Sequence, residues 1–323
     1  MDAAWSCHWS SAGTRWKFGD RSNKLYNAAT DRRRAYLYGL GAVLLWSTVA
    51  SAFKLSLRYL DYAQLLLYAC GVSTLVLGSI VLVQKKVGLV FAGGRRAWLR
   101  SLALGLLNPL VYYLVLFSAY ERLPAQEAQP LNYTWALTLT LLSIPLLKQR
   151  PSWSDLLAGL VCYSGVLVIS TRGDVLGLHF SDPIGVALAL GSTVLWALYW
   201  IFNTRDERDP VVRLFLNFAL ALPFVLLYCC VQSTLWPVPV EGLWGAAYIG
   251  IFEMGVAFVL WQQALCYAEN TAQVGNLIFI SPFLSLIFIY FLIGEEILWS
   301  TLVGLALVVA GLLLQQFQRT SPK

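Results

Sequence analysis

The chain has 323 residues, of which 58% are hydrophobic and 12% charged, and its mean hydropathy is +0.64. Soluble domains carry about 25% charged residues, so a water-soluble globule is a poor fit. The net charge of +6 sits at the ends of apolar segments and forms no single stripe, which argues against a nucleic-acid partner.

Residues 1–34 are polar, with Trp5, Trp9, Trp16 and seven basic residues. No apolar core follows a short charged start, so this is no signal peptide. A disordered cytoplasmic tail is expected, with a membrane-surface anchor as the alternative. Ten apolar blocks follow, near 35–53, 62–84, 97–120, 124–147, 153–171, 183–202, 211–235, 243–267, 271–293 and 298–316. Blocks of about 20 residues can cross a bilayer as helices. Helices satisfy their own backbone hydrogen bonds, which lipid cannot. The blocks are apolar all round and do not alternate, which excludes an outer-membrane barrel. The expected fold is therefore an all-α integral membrane bundle.

Lys and Arg set the orientation. With the N-terminus inside, the inner loops hold ten: Lys85, Lys86, Arg95, Arg96, Arg100, Lys148, Arg150, Arg205, Arg208 and Arg213. The outer loops hold four, Lys54, Arg58, Arg122 and Arg172, of which the first three are expected to snorkel. The positive-inside rule then puts both termini in the cytoplasm.

Within the third block, Asn108-Pro109 should loosen the helix, because proline removes a backbone donor. The fourth is the most polar, with Gln126, Glu127, Gln129 and Asn132 near its start. Gln126 and Gln129 are three apart and share a helix face. Glu253 lies mid-block in the eighth, between Phe252 and Met254. A carboxylate there costs about 2.5–3.5 kcal/mol on insertion scales, which marks it as functional by default. It is a candidate to carry a proton or face a substrate ammonium, against the plainer role of a hydrogen bond between helices. Pro130 and Pro282 interrupt the fourth and ninth blocks and are candidate hinges. Trp46, Trp135 and Trp196 lie deeper than an interfacial belt and are candidate cavity residues. Gly304 and Gly311, mirrored by Ala158 and Gly165, form a small-residue stripe for helix packing or dimer contact.

The second five blocks repeat the first five. Tyr120, Ala125 and Gln126 align with Tyr267, Ala272 and Gln273; Leu45-Trp46 with Leu195-Trp196; Trp153-Ser154 with Trp299-Ser300. Gln273 and Asn276 are thus the mates of Gln126 and Gln129. Aligning Gly105 with Gly250 makes Asn108 the mate of Glu253. Five spans per half is an odd number, so the halves, 35–171 and 182–317, should insert in opposite senses, as in secondary transporters.

LLWSTVAS in the first block, Asn132-Tyr133-Thr134-Trp135 in the fourth, Ser281-Pro282-Phe283 in the ninth and Gly294-Glu295-Glu296 after it resemble the EamA family of the drug/metabolite transporter superfamily. The Trp-Ser-Thr and Asn-Tyr-x-Trp pieces look most like its bacterial aromatic amino-acid exporters. The resemblance covers residues 35–317 and implies a ten-helix bundle with cytoplasmic termini in the inner membrane. It also implies a central cavity moving small metabolites such as amino acids or drugs. The expected function is a secondary transporter working by alternating access, exporting, with proton coupling, as a monomer or homodimer. Glu253, Asn108, Gln126, Glu127, Gln129, Asn132, Gln273 and Asn276 are its candidate substrate or proton site. No cofactor, metal or enzyme activity is expected: His8 and His179 are the only histidines, and the six cysteines have no ligand spacing. A membrane-embedded enzyme or lipid-handling protein would need clustered His, Asp or Ser. A channel would need rings of like charge.

Overall fold

The computed structural model describes residues 31–147, 153–177, 180–203, 206, 208–268 and 276–320. Among these, every regular element is helical. The helices are α1 Arg32–Ser56, α2 Tyr62–Val83, α3 Val87–Ala92, α4 Gly94–Gly105, α5 Tyr112–Arg122, α6 Ala125–Tyr133 and α7 Trp135–Leu147. They continue with α8 Trp153–Ser170, α9 Pro183–Asn203, α10 Pro210–Gln232, α11 Val240–Tyr248, α12 Ala257–Tyr267, α13 Ser281–Phe288 and α14 Trp299–Thr320. Two π-helical segments, Leu106–Val111 and Ile249–Val256, join α4 to α5 and α11 to α12 without a loop.

Among the described residues, six stretches are long and apolar enough to cross a membrane: Arg32–Ser56, Tyr62–Val83, Gly94–Arg122, Pro183–Asn203, Pro210–Gln232 and Val240–Trp261. Shorter apolar helices lie at Leu157–Ser170, Leu277–Ile293 and Trp299–Leu314. Ten spans were the expectation, and in the fourth and ninth blocks the departure from one continuous helix has local causes. The fourth block is divided by a turn at Thr134, where both the backbone N–H and Oγ1 donate to the Leu131 carbonyl, at 3.2 and 2.8 Å. A side chain that bonds its own backbone competes with the helix ladder, and Pro130 inside α6 already lacks a donor. In the ninth block, a 3₁₀ turn at Asn276–Ile280 precedes α13, and Pro282 sits in the first turn of that helix. Pro282 thus follows a change from 3₁₀ to α-helix, while Pro130 lies one turn before the break at Thr134. Leu75, Val83, Leu160, Val231, Trp244 and Phe291 are largely exposed, an apolar exterior suited to lipid.

Helix starts follow capping chemistry. Asp31 accepts from the Arg34 N–H at 3.1 Å, so α1 begins at Arg32, inside the segment expected to be tail. Residues 1–30 lie outside the described residues. Asp61 and Gln64 form a reciprocal capping box on α2, and Asp209 caps α10 ahead of Pro210.

The two halves interleave. α1 packs on α12 and α13, α2 on α10 and the Ile249–Val256 segment, α5 and α7 on α9, and α8 on α14. Each pair joins a helix of the first half to one of the second. The α8–α14 pair is the most extensively packed. A Cβ on Gly165 would lie 2.4 Å from the Gly304 carbonyl oxygen, and one on Gly311 would lie 2.7 Å from that of Ala158. The small-residue stripe is thus spent on packing within the chain.

The basic residues expected to snorkel are engaged instead. Lys54 Nζ donates to the carbonyls of Tyr120 and Leu123 at 2.6 and 2.7 Å. Arg58 donates to the Ile293 carbonyl at 3.1 Å, and Arg122 pairs with Asp182 at 3.6 Å. The physical reason for the first is the C-terminus of α5, whose last carbonyls have no partner within the helix.

Candidate functional site

A cavity of about 380 Å³ lies between the halves, within the usual range for small-molecule sites, roughly 300–1,000 Å³. The first half contributes Trp46 from α1, Tyr112 from α5, Gln129, Asn132 and Tyr133 from α6, and Trp135 from α7. The second half contributes Trp196 and Trp200 from α9, Glu253 from its π-helical segment, Phe258 and Trp261 from α12, and Phe279 from the 3₁₀ turn.

Trp196 is the hub of the aromatic wall. Its ring lies 4.7 Å from Tyr112, 6.4 Å from Trp135, 5.9 Å from Tyr199, 6.0 Å from Trp200 and 5.9 Å from Phe258, centroid to centroid. Its repeat mate Trp46 lies 6.0 Å from the same Phe258 and 5.3 Å from Trp261. These spacings suit edge and offset packing of rings and make the wall stiff.

Among the described residues, Glu253 is the sole charged group lining the cavity, and no Lys, Arg or His lines it. Tyr113 donates its hydroxyl to Glu253 Oε1 at 3.4 Å, while Oε2 is buried with no hydrogen-bond partner. Gln129 Oε1 and Trp200 Nε1 are likewise buried and unpartnered. Asn132 is partly engaged, donating to Ser192 Oγ at 2.9 Å. Buried polar atoms are normally paired, which singles these three out among the lining residues.

Glu253, Gln129, Asn132, Trp46, Trp135 and Trp196 from the sequence analysis therefore stand together on one wall. Three others do not. Gln126 uses its whole amide elsewhere: Nε2 donates to the Glu296 carbonyl at 2.7 Å, and Oε1 accepts from Leu298 N at 2.9 Å and Thr301 Oγ1 at 3.0 Å. Glu295 supports the same tie by accepting from Ala125 N and Gln126 N, at 2.9 and 3.2 Å. A carboxylate there caps an N-terminus that α6 cannot cap with Pro124. Glu127 is also off the cavity, paired with Arg172 Nε at 2.8 Å and hydrogen-bonded by Ser181. Asn108 is buried away from the wall, with Oδ1 unpartnered. Gln273 and the side chain of Asn276 lie outside the described residues. Phe258 and Phe279 escaped the sequence analysis because the blocks are apolar all round. The signal available for Phe258 was the pairing of Trp46 with Trp196, which predicts a shared neighbour.

On the other end of the bundle, Asp206 is clamped by Arg208, with Nε to Oδ1 at 2.9 Å and Nη2 to Oδ2 at 2.6 Å. Arg208 also donates to Ser101 Oγ at 2.9 Å, Arg213 donates to the Asp206 carbonyl, and Lys86 pairs with Asp209 at 2.7 Å. Burial pushes the Asp206 carboxyl up, but the Arg208 hydrogen bonds and the charges of Arg208 and Arg213 outweigh it and hold it below the ordinary carboxylate value.

Comparison with known proteins agrees with this architecture. The model of the EamA-like transporter family matches twice, over residues 33–171 and 183–315. The chain belongs to the EamA-like transporter family. It is an integral membrane protein of a transporter family. It is 26% identical over 259 residues to the aromatic amino acid exporter YddG of Ancylobacter novellus, covering 79% of this chain and 87% of that one. It is 24% identical to the uncharacterized transporter YvbV of Bacillus subtilis, covering 84% and 88%, and 27% identical to the inner membrane protein YtfF of Escherichia coli, covering 68% and 76%. A solved crystal structure at 24% identity superposes with a TM-score of 0.62 over 89% of this chain and 98% of the other, which shows a shared fold.

Proposed function

We propose that this protein is a secondary carrier that exports small organic metabolites across a bacterial inner membrane, with both termini cytoplasmic. Its ten spans form two halves inserted in opposite senses, and the cavity between them opens alternately to each side. Glu253 takes up and releases the coupling proton. The observation that carries this is a cavity walled by both halves, with a lone carboxylate facing it. The exporter named YddG among its relatives supports the direction. The tie of Gln126 and Glu295 from α6 to the segment before α14 supports a carrier, since it gives the halves a closure to break on one side. Gln129 and Asn132 contact the substrate, and Pro130 and Pro282 act as hinges.

The test begins by comparing metabolites inside and outside cells with and without the protein, which supplies the solute. Counterflow of that solute into vesicles is then measured with and without a pH gradient. The wild type should respond to the gradient, and Glu253→Gln should not. A variant that keeps the gradient response removes the proton role, and an absence of saturable counterflow removes the carrier.

A further inference from the structure

We infer that the cavity selects a monovalent organic cation, a primary ammonium on a ring-bearing apolar body, over a zwitterion of the same shape. This rests on the carrier proposed above and narrows its substrate. Among the described residues, one carboxylate lines the cavity and no basic side chain does. A ligand ammonium beside Glu253 forms a pair and leaves no charge over. A zwitterion brings a second charge, a carboxylate, into a site with no cation to receive it. Burying an ionised carboxylate without a partner costs several kcal/mol, and Glu253 would repel it further.

The unsatisfied atoms agree. Glu253 Oε2 and Gln129 Oε1 are both buried, both unpartnered and both acceptors. An ammonium brings three donors and no acceptor, the complement of that pair. Among the buried unpartnered atoms of the wall the donor is Trp200 Nε1, and the other lining donors, the amides of Gln129 and Asn132, the tyrosine hydroxyls and the indole N–H groups, are neutral as well, so none balances the charge of an anion. Asn132 already gives Nδ2 to Ser192.

The aromatic wall completes the case. Trp46, Trp135, Trp196, Trp200, Trp261 and Phe258 surround the cavity. Indole faces attract cations, most strongly where water is excluded, and they bury a flat apolar body at the same time. The second half carries the acid while its first-half mate, Asn108, sits behind the wall, so the repeat provides one charged anchor and not two.

Two probes that differ only by the carboxylate test this: tryptamine and tryptophan. Their binding to the purified full chain in detergent is measured by calorimetry at neutral pH. The expected result is that tryptamine binds at least about tenfold more tightly than tryptophan, a difference of about 1.4 kcal/mol. Glu253→Gln, which keeps shape, should weaken tryptamine by a similar factor and leave tryptophan unchanged or improved. Gln129→Leu provides a second variant and should weaken tryptamine by a smaller factor. Equal or tighter binding of tryptophan overturns the inference, as does unchanged tryptamine affinity in a folded Glu253→Gln, or no binding of tryptamine at all. The same protein in vesicles loaded with a water-soluble cell extract separates the two levels. If any solute escapes faster through the protein but tryptamine does not bind, the cation preference fails and the carrier stands. If nothing escapes, both fail.

Discussion

The π-helical segments Leu106–Val111 and Ile249–Val256 occupy matching places in the two halves, and they differ in what they hold up. Each follows or contains a glycine packed on a foreign backbone. A Cβ on Gly105 would lie 2.2 Å from the Asn217 carbonyl oxygen, and one on Gly250 would lie 2.5 Å from that of Ala69. Each interrupts a long apolar helix, and such bulges are frequent at functional sites. Yet the first turns Asn108 into the packing at φ −147° and ψ 113°, and the second points Glu253 at the cavity. The repeat has kept the irregular backbone in both halves and placed the charge in one. Backbone symmetry can serve two-way motion, while a single acid gives the cavity one chemical polarity.

Three experiments would break or sharpen that comparison. The largest effect is expected at the glycines. Gly105→Ala and Gly250→Ala should each cost about 1–3 kcal/mol through overpacking against a carbonyl that cannot step aside, seen as lower melting temperatures in detergent. Similar losses would make the segments mechanically equivalent, and a loss at one alone would end the equivalence. Next comes the charged floor under the first segment, where Asp206, Arg208 and Ser101 brace α4 one turn before Gly105. Because the folded Asp206 carboxyl titrates below its ordinary value of 3.8, the stability it supplies is fully present above that value. It is lost as pH falls through the lowered one. Asp206→Asn should therefore lower stability at neutral pH and flatten the acid side of the stability profile. An unaltered acid profile would show that the clamp contributes nothing. The smallest effect belongs to Asn108→Ala. With its carbonyl already unpartnered, removal should change stability by less than about 1 kcal/mol and leave transport rates intact. A transport loss as deep as that of Glu253→Gln would put Asn108 in the mechanism and make the halves chemically equal.

Much of this was legible in the chain. Apolar blocks of spanning length, the internal repeat and the Trp-Ser-Thr and Asn-Tyr-x-Trp pieces pointed to the family, and the depth of Glu253 pointed to the cavity. What escaped depended on partners far away in sequence. Gln126 and Gln129 share a face by spacing, but one reaches Glu296 and Thr301 while the other ends at the cavity. A rule of three residues cannot see which neighbour arrives opposite each turn. Lys54 looked like a snorkelling residue because its charge sits at a helix end. Its partners are carbonyls of Tyr120 and Leu123, in a helix that follows more than sixty positions later. The division of the fourth block at Thr134 was half legible: Pro130 was visible, and the Thr134 hydroxyl turning onto Leu131 was not.

The contact of α8 with α14 has a mechanical consequence. Where Gly165 meets Gly304, and Gly311 meets Ala158, the two helices touch backbone to backbone, one from each half. With Ile169 and Cys162 seated against Gly304 and Gly311, the close carbonyl contacts would all be lost together if the helices parted. In the carrier proposed above, this pair would be the fulcrum about which the halves rock without parting, so displacement would grow with distance from it, toward the proline-bearing helices α6 and α13.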